Sequence, residues 1–188
     1  MPNDALRGLK VAILVTDGFE QVELTKPRAA LDQAGAETRI VSPKEGRVRG
    51  WKFTEWGDEV AVDVTLGAAR PEGFDALLLP GGVINPDKLR MMPEAVAFVK
   101  AFFDAGKPVA AICHGPWMVV EAGGAKNRRM TSWPSVRTDV VNAGAKWVDE
   151  AAVRDRNLVT SRNPDDIPAF NQAMIALFGE AMAQRRAA

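Results

Sequence analysis

The sequence predicts a three-layer α/β domain, with helices on both faces of a doubly wound, mostly parallel sheet, and three observations carry that prediction. Short, nearly continuous apolar runs, from Leu9 to Val15, Phe74 to Leu79 and Pro108 to Ile112, read as strands buried on both faces. Between them lie stretches whose apolar residues recur at helical spacing. Each strand ends in turn residues: Thr16-Asp17-Gly18, Pro80-Gly81-Gly82 and Cys113-His114-Gly115-Pro116. At 188 residues the chain has the size of one domain, taken here as 1–188.

In chain order, the first strand is followed by a helix from Val22 to Ala34, with Pro27 as a kink or early-turn residue and Gly35 as the stop. Ala36 to Val41 is the second strand and completes a βαβ unit. From Lys44 to Asp58 the pattern loosens. Beyond it Val60, Val62 and Val64 share one face and Glu59, Ala61 and Asp63 the other, as in a half-exposed strand at an edge or on an excursion. After the strand at Phe74 to Leu79, a helix from Glu94 to Ala105 ends at Gly106 and leads into the strand that stops before Cys113. A helix from Pro116 to Ala122, a short helix from Ser135 to Asn142 and a strand from Ala145 to Val148 come next. Val153 to Ser161 reads as a hairpin turning at Asp155-Arg156-Asn157. Asp165 or Asp166 caps a last helix with Ile167, Phe170, Met174, Ile175, Phe178 and Met182 on one face.

Composition narrows the function classes. With 24 basic and 24 acidic residues the chain has no formal net charge, which argues against a dedicated nucleic-acid surface. No apolar run approaches the roughly 18 residues that cross a bilayer, and the start lacks a signal-peptide order, so no membrane partner is expected. One cysteine cannot form an intramolecular disulfide and suits a reducing compartment, with cytoplasmic localisation as the expectation. One Cys and one His cannot assemble a zinc site, so neither metal nor other cofactor is expected.

In an open α/β sheet the loops at the carboxyl ends of the strands face a common crevice. Glu20, Gly81, Gly82 and Cys113 all fall on that edge. Ala111-Ile-Cys-His-Gly115 has small residues two positions before and after the cysteine, the steric requirement of a tight turn that projects a nucleophile. A thiol there, at a helix start, is expected to favour thiolate. The Gly82 and His114 N–H groups are the expected oxyanion donors, with Gly81 and Gly115 beside them. A lone cysteine after a hydrophobic strand can equally be a small buried apolar residue, but the elbow spacing argues for chemistry. His114, the only histidine, is either the partner of Cys113 or a loop residue without a role. The five tryptophans, Trp51, Trp56, Trp117, Trp133 and Trp147, can line a pocket, although aromatic residues this spread out are more often core or interface; Trp117 and Trp133, nearest the elbow in sequence, are the best pocket candidates.

The segments Asp17-Gly-Phe-Glu-Gln-Val-Glu-Leu24, Leu79-Pro-Gly-Gly82, Lys107-Pro-Val-Ala-Ala-Ile-Cys-His-Gly-Pro116, Thr131-Ser-Trp-Pro134 and Asn142-Ala-Gly-Ala145 together resemble the PfpI-type intracellular protease and general stress protein family, from about Leu9 to Leu177. The resemblance implies a flavodoxin-like sandwich and a nucleophilic Cys113 hydrogen-bonded to a glutamate, matched to Glu20. It implies His114 paired with an acidic residue of a neighbouring subunit, matched to Asp87, and hence a homo-oligomer, dimer or hexamer, with a shared site. One departure is Trp133 where close relatives often place a tyrosine; the chain has no tyrosine.

The activities implied are a cysteine-dependent hydrolase or lyase acting on small carbonyls, glycated groups or peptides, of deglycase, glyoxalase or peptidase type. A small aldehyde needs only a narrow pocket, whereas a protease needs a groove for extended chain. The other class is a redox-sensing or chaperone-like stress protein with an oxidisable cysteine. A glutamine amidotransferase is excluded, since its triad takes a histidine well beyond the elbow and none follows His114.

Overall fold

The structure, a computed structural model, describes residues 4–187. The strands are β1 (Lys10–Leu14), β2 (Phe19–Glu20), β3 (Glu37–Ser42), β4 (Arg47–Lys52), β5 (Glu55–Ala61), β6 (Val64–Thr65), β7 (Ala76–Leu79), β8 (Val109–Ile112), β9 (Arg129–Met130), β10 (Lys146–Trp147), β11 (Ala152–Asp155) and β12 (Leu158–Ser161). The helices are α1 (Gln21–Gln33), α2 (Ile84–Arg90), α3 (Pro93–Asp104), α4 (Pro116–Glu121), α5 (Arg137–Asn142) and α6 (Ile167–Ala187). The main sheet runs β11-β12-β8-β7-β1-β3-β6, parallel throughout except at the β11–β12 hairpin. This is the predicted mixed α/β sandwich.

The central strands are short and wholly apolar because both faces are covered. Ala12, Leu14, Leu77, Leu79, Val109 and Ala111 point to one side, where they pack with Phe98, Val99 and Phe102 of α3 and Met118 and Val119 of α4. Val11, Ile13, Ala76, Leu78, Ala110 and Ile112 point to the other, against Leu24 and Leu31 of α1 and Phe170, Met174 and Phe178 of α6. The period of two is thus preserved inside what reads as an unbroken apolar run. Parallel pairing brings the carboxyl ends of β1, β7, β8 and β12 to one edge, and there the site forms.

Three sequence expectations are corrected. The stretch read as loosening from Lys44 is β4 and most of β5, a β-hairpin that pairs through β2 to make a separate three-stranded sheet. The half-exposed strand expected beyond it is the end of β5, on an excursion as expected, but it stops at Ala61, and Val64 belongs to β6 of the main sheet. Its outer strand is almost entirely exposed or half-buried, and a register shift between Arg49 and Trp51 breaks the alternation that would have revealed it. Helix α2 was not foreseen, because Asn85-Pro86 reads as a turn; the proline lies in the first helical turn, where its missing N–H is harmless. The residue whose side chain caps the turn before α6 is Asn163, which accepts the Asp165 N–H at 3.0 Å, while the Asp166 carboxylate pairs with Arg162.

Phe102 is fully buried, with its ring 5.3 Å from that of Phe98 and the Lys107 ammonium 5.6 Å from its centre. Phe102→Ala is expected to lower stability by about 3–5 kcal/mol in urea unfolding. A loss below about 1 kcal/mol would show that α3 is not a structural part of the core.

Candidate active site

Cys113 follows β8 with φ of +62°, the left-handed region that disfavours a side chain. The turn is held on every side: the Cys113 N–H donates to Ser161 O at 3.0 Å, the Trp133 N–H donates to Cys113 O at 2.8 Å, and the Gly115 N–H donates to Ile112 O at 2.8 Å. Those bonds hold a strained elbow that aims Sγ into a cavity of about 200 Å³. The cavity is walled by Trp51, Phe53, Val83, Ile84, Trp133 and Pro164, with Glu20, Glu23 and His114 as the other groups able to do chemistry.

The carboxyl that meets the sulfur is that of Glu23. The resemblance matched Glu20 to this role, and the structure corrects it. Glu23 is on α1, fully buried, four residues before Pro27 and eight before Leu31, so helical spacing turns it inward with them. Its Oε2 accepts the Gly81 N–H at 2.9 Å, and its Oε1 is buried with no partner of ordinary hydrogen-bond geometry. Glu20 lies just before the helix, and its Oε2 accepts the Phe53 N–H at 3.3 Å from the hairpin tip. The signal for Glu23 was present in the sequence: it continues the Pro27–Leu31 stripe, a poor place for a carboxylate without a task.

Electrostatics couple the two acids. Burial, with the nearby Glu20 charge adding to it, pushes Glu23 up to about 8, so its carboxyl is neutral at neutral pH. Burial first, and then Glu23, also push the Cys113 thiol up, while the His114 and Gly82 N–H groups act in the opposite sense. The pair therefore loses its first proton as a unit. This reverses the expectation of a freely ionised thiol, because desolvation outweighs the short helix behind it. Desolvation also lowers His114 to about 4, leaving a neutral imidazole with Nδ1 3.2 Å from Sγ.

The remaining predicted residues divide between wall and support. Trp133 lines the cavity and stacks on His114, with ring centres 5.9 Å apart. Trp117 touches His114 edge-on from behind but lies outside the lining; its Nε1–H donates to Asp139 at 2.8 Å and Arg90 covers its face. Gly82 lines the cavity, whereas Gly81 and Gly115 stand behind it. A Cβ at Gly81 would lie 2.4 Å from the Glu23 carboxyl, and one at Gly115 2.4 Å from Leu79 O, so both glycines allow the close approach. Asp87 is exposed on α2, and His114 has no carboxylate partner among the described residues. Sequence reasoning ranked Trp51 behind Trp117 as a pocket residue, and missed Phe53, which the hairpin brings to the cavity with Trp51, and Asn85. The buried Asn85 amide accepts the Thr16 N–H at 2.8 Å and donates to Pro80 O and Gly81 O at 3.1 and 3.2 Å, tying the β1 loop to the β7 loop.

Known proteins resemble this chain over most of its length. The DJ-1/PfpI family model matches residues 9–177. General stress protein 18 of Bacillus subtilis is 44% identical over 172 residues, covering 90% of this chain and 98% of the relative. A protein named as a deglycase from Thermococcus kodakarensis is 42% identical over 169 residues, covering 90% and 99%. Among solved structures, a two-domain protein of Anabaena variabilis with DJ-1/ThiJ/PfpI-like and ferritin-like domains superposes with a TM-score of 0.85 at 36% identity, covering 91% of this chain and 48% of that one.

The strain at Cys113 has a measurable consequence. Glycine has no Cβ penalty at positive φ, so Cys113→Gly is expected to be more stable than Cys113→Ala by about 1 kcal/mol in denaturant unfolding. The reverse order would show that the elbow is not strained.

Proposed function

The chain belongs to the DJ-1/PfpI family, and on that premise we propose that it is a cysteine-nucleophile enzyme acting on small carbonyl compounds and the adducts they leave on other molecules. The observation that carries the reading is the Cys113 sulfur at the floor of a small apolar cavity, with one neutral carboxyl and two N–H groups directed at it. A relative named as a deglycase and another named as a general stress protein support the same reading.

In this reading the Cys113 sulfur bonds to the carbonyl carbon. The thiol proton passes to the Glu23 carboxylate, formed when the pair has lost its first proton, and the carbonyl oxygen becomes an alkoxide against the Gly82 and His114 N–H groups. Glu23 then returns the proton to oxygen, giving a hemithioacetal. For a 2-oxoaldehyde, moving one proton from the former aldehyde carbon to the adjacent carbon, and the new hydroxyl's proton to the neighbouring ketone oxygen, through an enediol, yields a thioester. Water hydrolyses it to a 2-hydroxy acid and releases the thiol. Glu23, near 8, is far better matched to these transfers than His114, near 4. A cavity of about 200 Å³ with apolar walls suits a few heavy atoms better than an extended peptide. A redox-sensing thiol needs exposure and easy ionisation; Cys113 is 6% exposed and its thiol is pushed up, which favours the enzyme reading. We further propose that an oligomer supplies Asp87 of one subunit to His114 of the next, since both α2 and His114 border the cavity mouth.

The test is conversion of methylglyoxal to lactate in thiol-free buffer. Turnover is expected to vanish in Cys113→Ser and to fall by about 10²–10⁴-fold in Glu23→Gln. In the wild type, kcat/KM should rise with pH through about 8 as the pair loses its proton. Equal rates in wild type and Cys113→Ser would overturn the proposal.

A further inference from the structure

The cavity wall contains neither Lys nor Arg. Two of its three titratable neighbours of Cys113 are neutral at working pH, His114 because burial lowers it and Glu23 because burial raises it. Glu20 is the third. It lines the cavity at 7% exposure, where burial raises it and the Phe53 and Gln21 N–H groups act in the opposite sense; it accepts the Phe53 N–H at 3.3 Å, and its charge is felt at Glu23. Of the basic side chains on the flanking segments, Lys44 pairs with Asp17, Lys52 with Asp58 and Arg90 with Glu121, Arg49 donates to Gly57 O, and Lys88 of α2 acts on Asp17 outside the cavity wall. Among the described residues, a substrate in the cavity thus meets one carboxylate and no Lys or Arg of the wall.

We propose that Glu20 is a specificity-determining residue, whose carboxylate restricts the Cys113 cavity to neutral carbonyl compounds, or carbonyl adducts carried on a cationic nitrogen, and turns away 2-oxo acids and phosphorylated carbonyls. The apolar walls sharpen the selection, because a carboxylate or phosphate entering among Trp51, Val83, Ile84 and Trp133 leaves water without gaining a partner. The hairpin has a part as well. By donating its Phe53 N–H, its tip fixes the Glu20 carboxylate at the mouth, away from the sulfur, where Glu23 already occupies the place of a proton-transfer group.

This inference rests on the carbonyl reading for its substrates, but its test does not require turnover. Cys113 is the only cysteine, so alkylation reports on this cavity alone. Iodoacetamide and iodoacetate are nearly the same size and differ in charge. At pH 7 and low salt, the ratio of iodoacetate to iodoacetamide rates at Cys113, divided by the same ratio for a free small thiol, is expected to be about 0.1, the factor for like unit charges within about 10 Å at the effective dielectric of a protein. Glu20→Gln retains an oxygen for the Phe53 N–H and should return that ratio towards 1. Added salt should raise the ratio in the wild type and leave the variant nearly unchanged, which a merely structural role for Glu20 would not produce. Should Glu20→Gln fail to fold, the wild-type salt series decides alone. A normalised ratio near 1 in the wild type, or a low ratio that neither the substitution nor salt alters, overturns the proposal. Loss of methylglyoxal turnover with charge selection intact would overturn the enzymatic reading and leave the filter standing.

Discussion

Two acids buried against each other, Cys113 and Glu23, with no cation in the wall, set the terms for the rest of the site. Neither group ionises easily where it is, so they share protons, and the surrounding backbone is arranged to make their contact possible. Gly81 supplies the N–H that holds Glu23 and the absence of a side chain that would strike it. Asn85 locks the loop carrying Gly81 to the loop after β1. The arrangement opposes folding stability at high pH. Glu23 ionises near 4.5 in an ordinary setting and near 8 in the fold, so the folded state holds more protons between those values; its contribution is complete below 4.5 and is lost as pH rises to about 8. His114 acts with the opposite sign, its contribution being present above 6.5 and lost as pH falls to about 4.

The rest of the molecule brings these groups to one place and keeps water from them. Parallel strands deliver the β1, β7, β8 and β12 loops to one edge, and the β4–β5 hairpin adds Trp51 and Phe53 as a wall over it. His114 is braced from two sides by Trp133 and Trp117, and Trp117 is braced in turn by Asp139 and Arg90. Trp133 gives His114 an apolar stacking surface, and the chain has no tyrosine, so in the proposed reaction proton transfer falls to Glu23 rather than to a phenol.

The main sheet was readable because its strands are short apolar runs closed by Gly or Pro turns, a pattern that local chemistry alone dictates. The elbow was readable from the small residues flanking Cys113. The hairpin was not, because no residue of β5 is buried and the strand takes its shape from pairing with β4 rather than from burial of its own side chains. The choice between Glu20 and Glu23 turned on the helical stripe: Glu23 shares the face of Pro27 and Leu31, whereas Glu20 precedes the helix in β2. Spacing to Pro27 and Leu31 held that information, and motif matching passed over it. The raised thiol was also beyond the sequence, since burial depth is a property of the assembled loops.

The central claim is that Glu23 is a neutral acid beside the sulfur at neutral pH. Infrared difference spectroscopy of wild type against Glu23→Gln tests it most directly, because subtraction removes every other carboxyl group. A protonated-carboxyl band is expected at pH 7 in the wild type, absent from the variant and titrating away near pH 8. A spectrum at pH 7 showing only ionised carboxylate for Glu23 would contradict it.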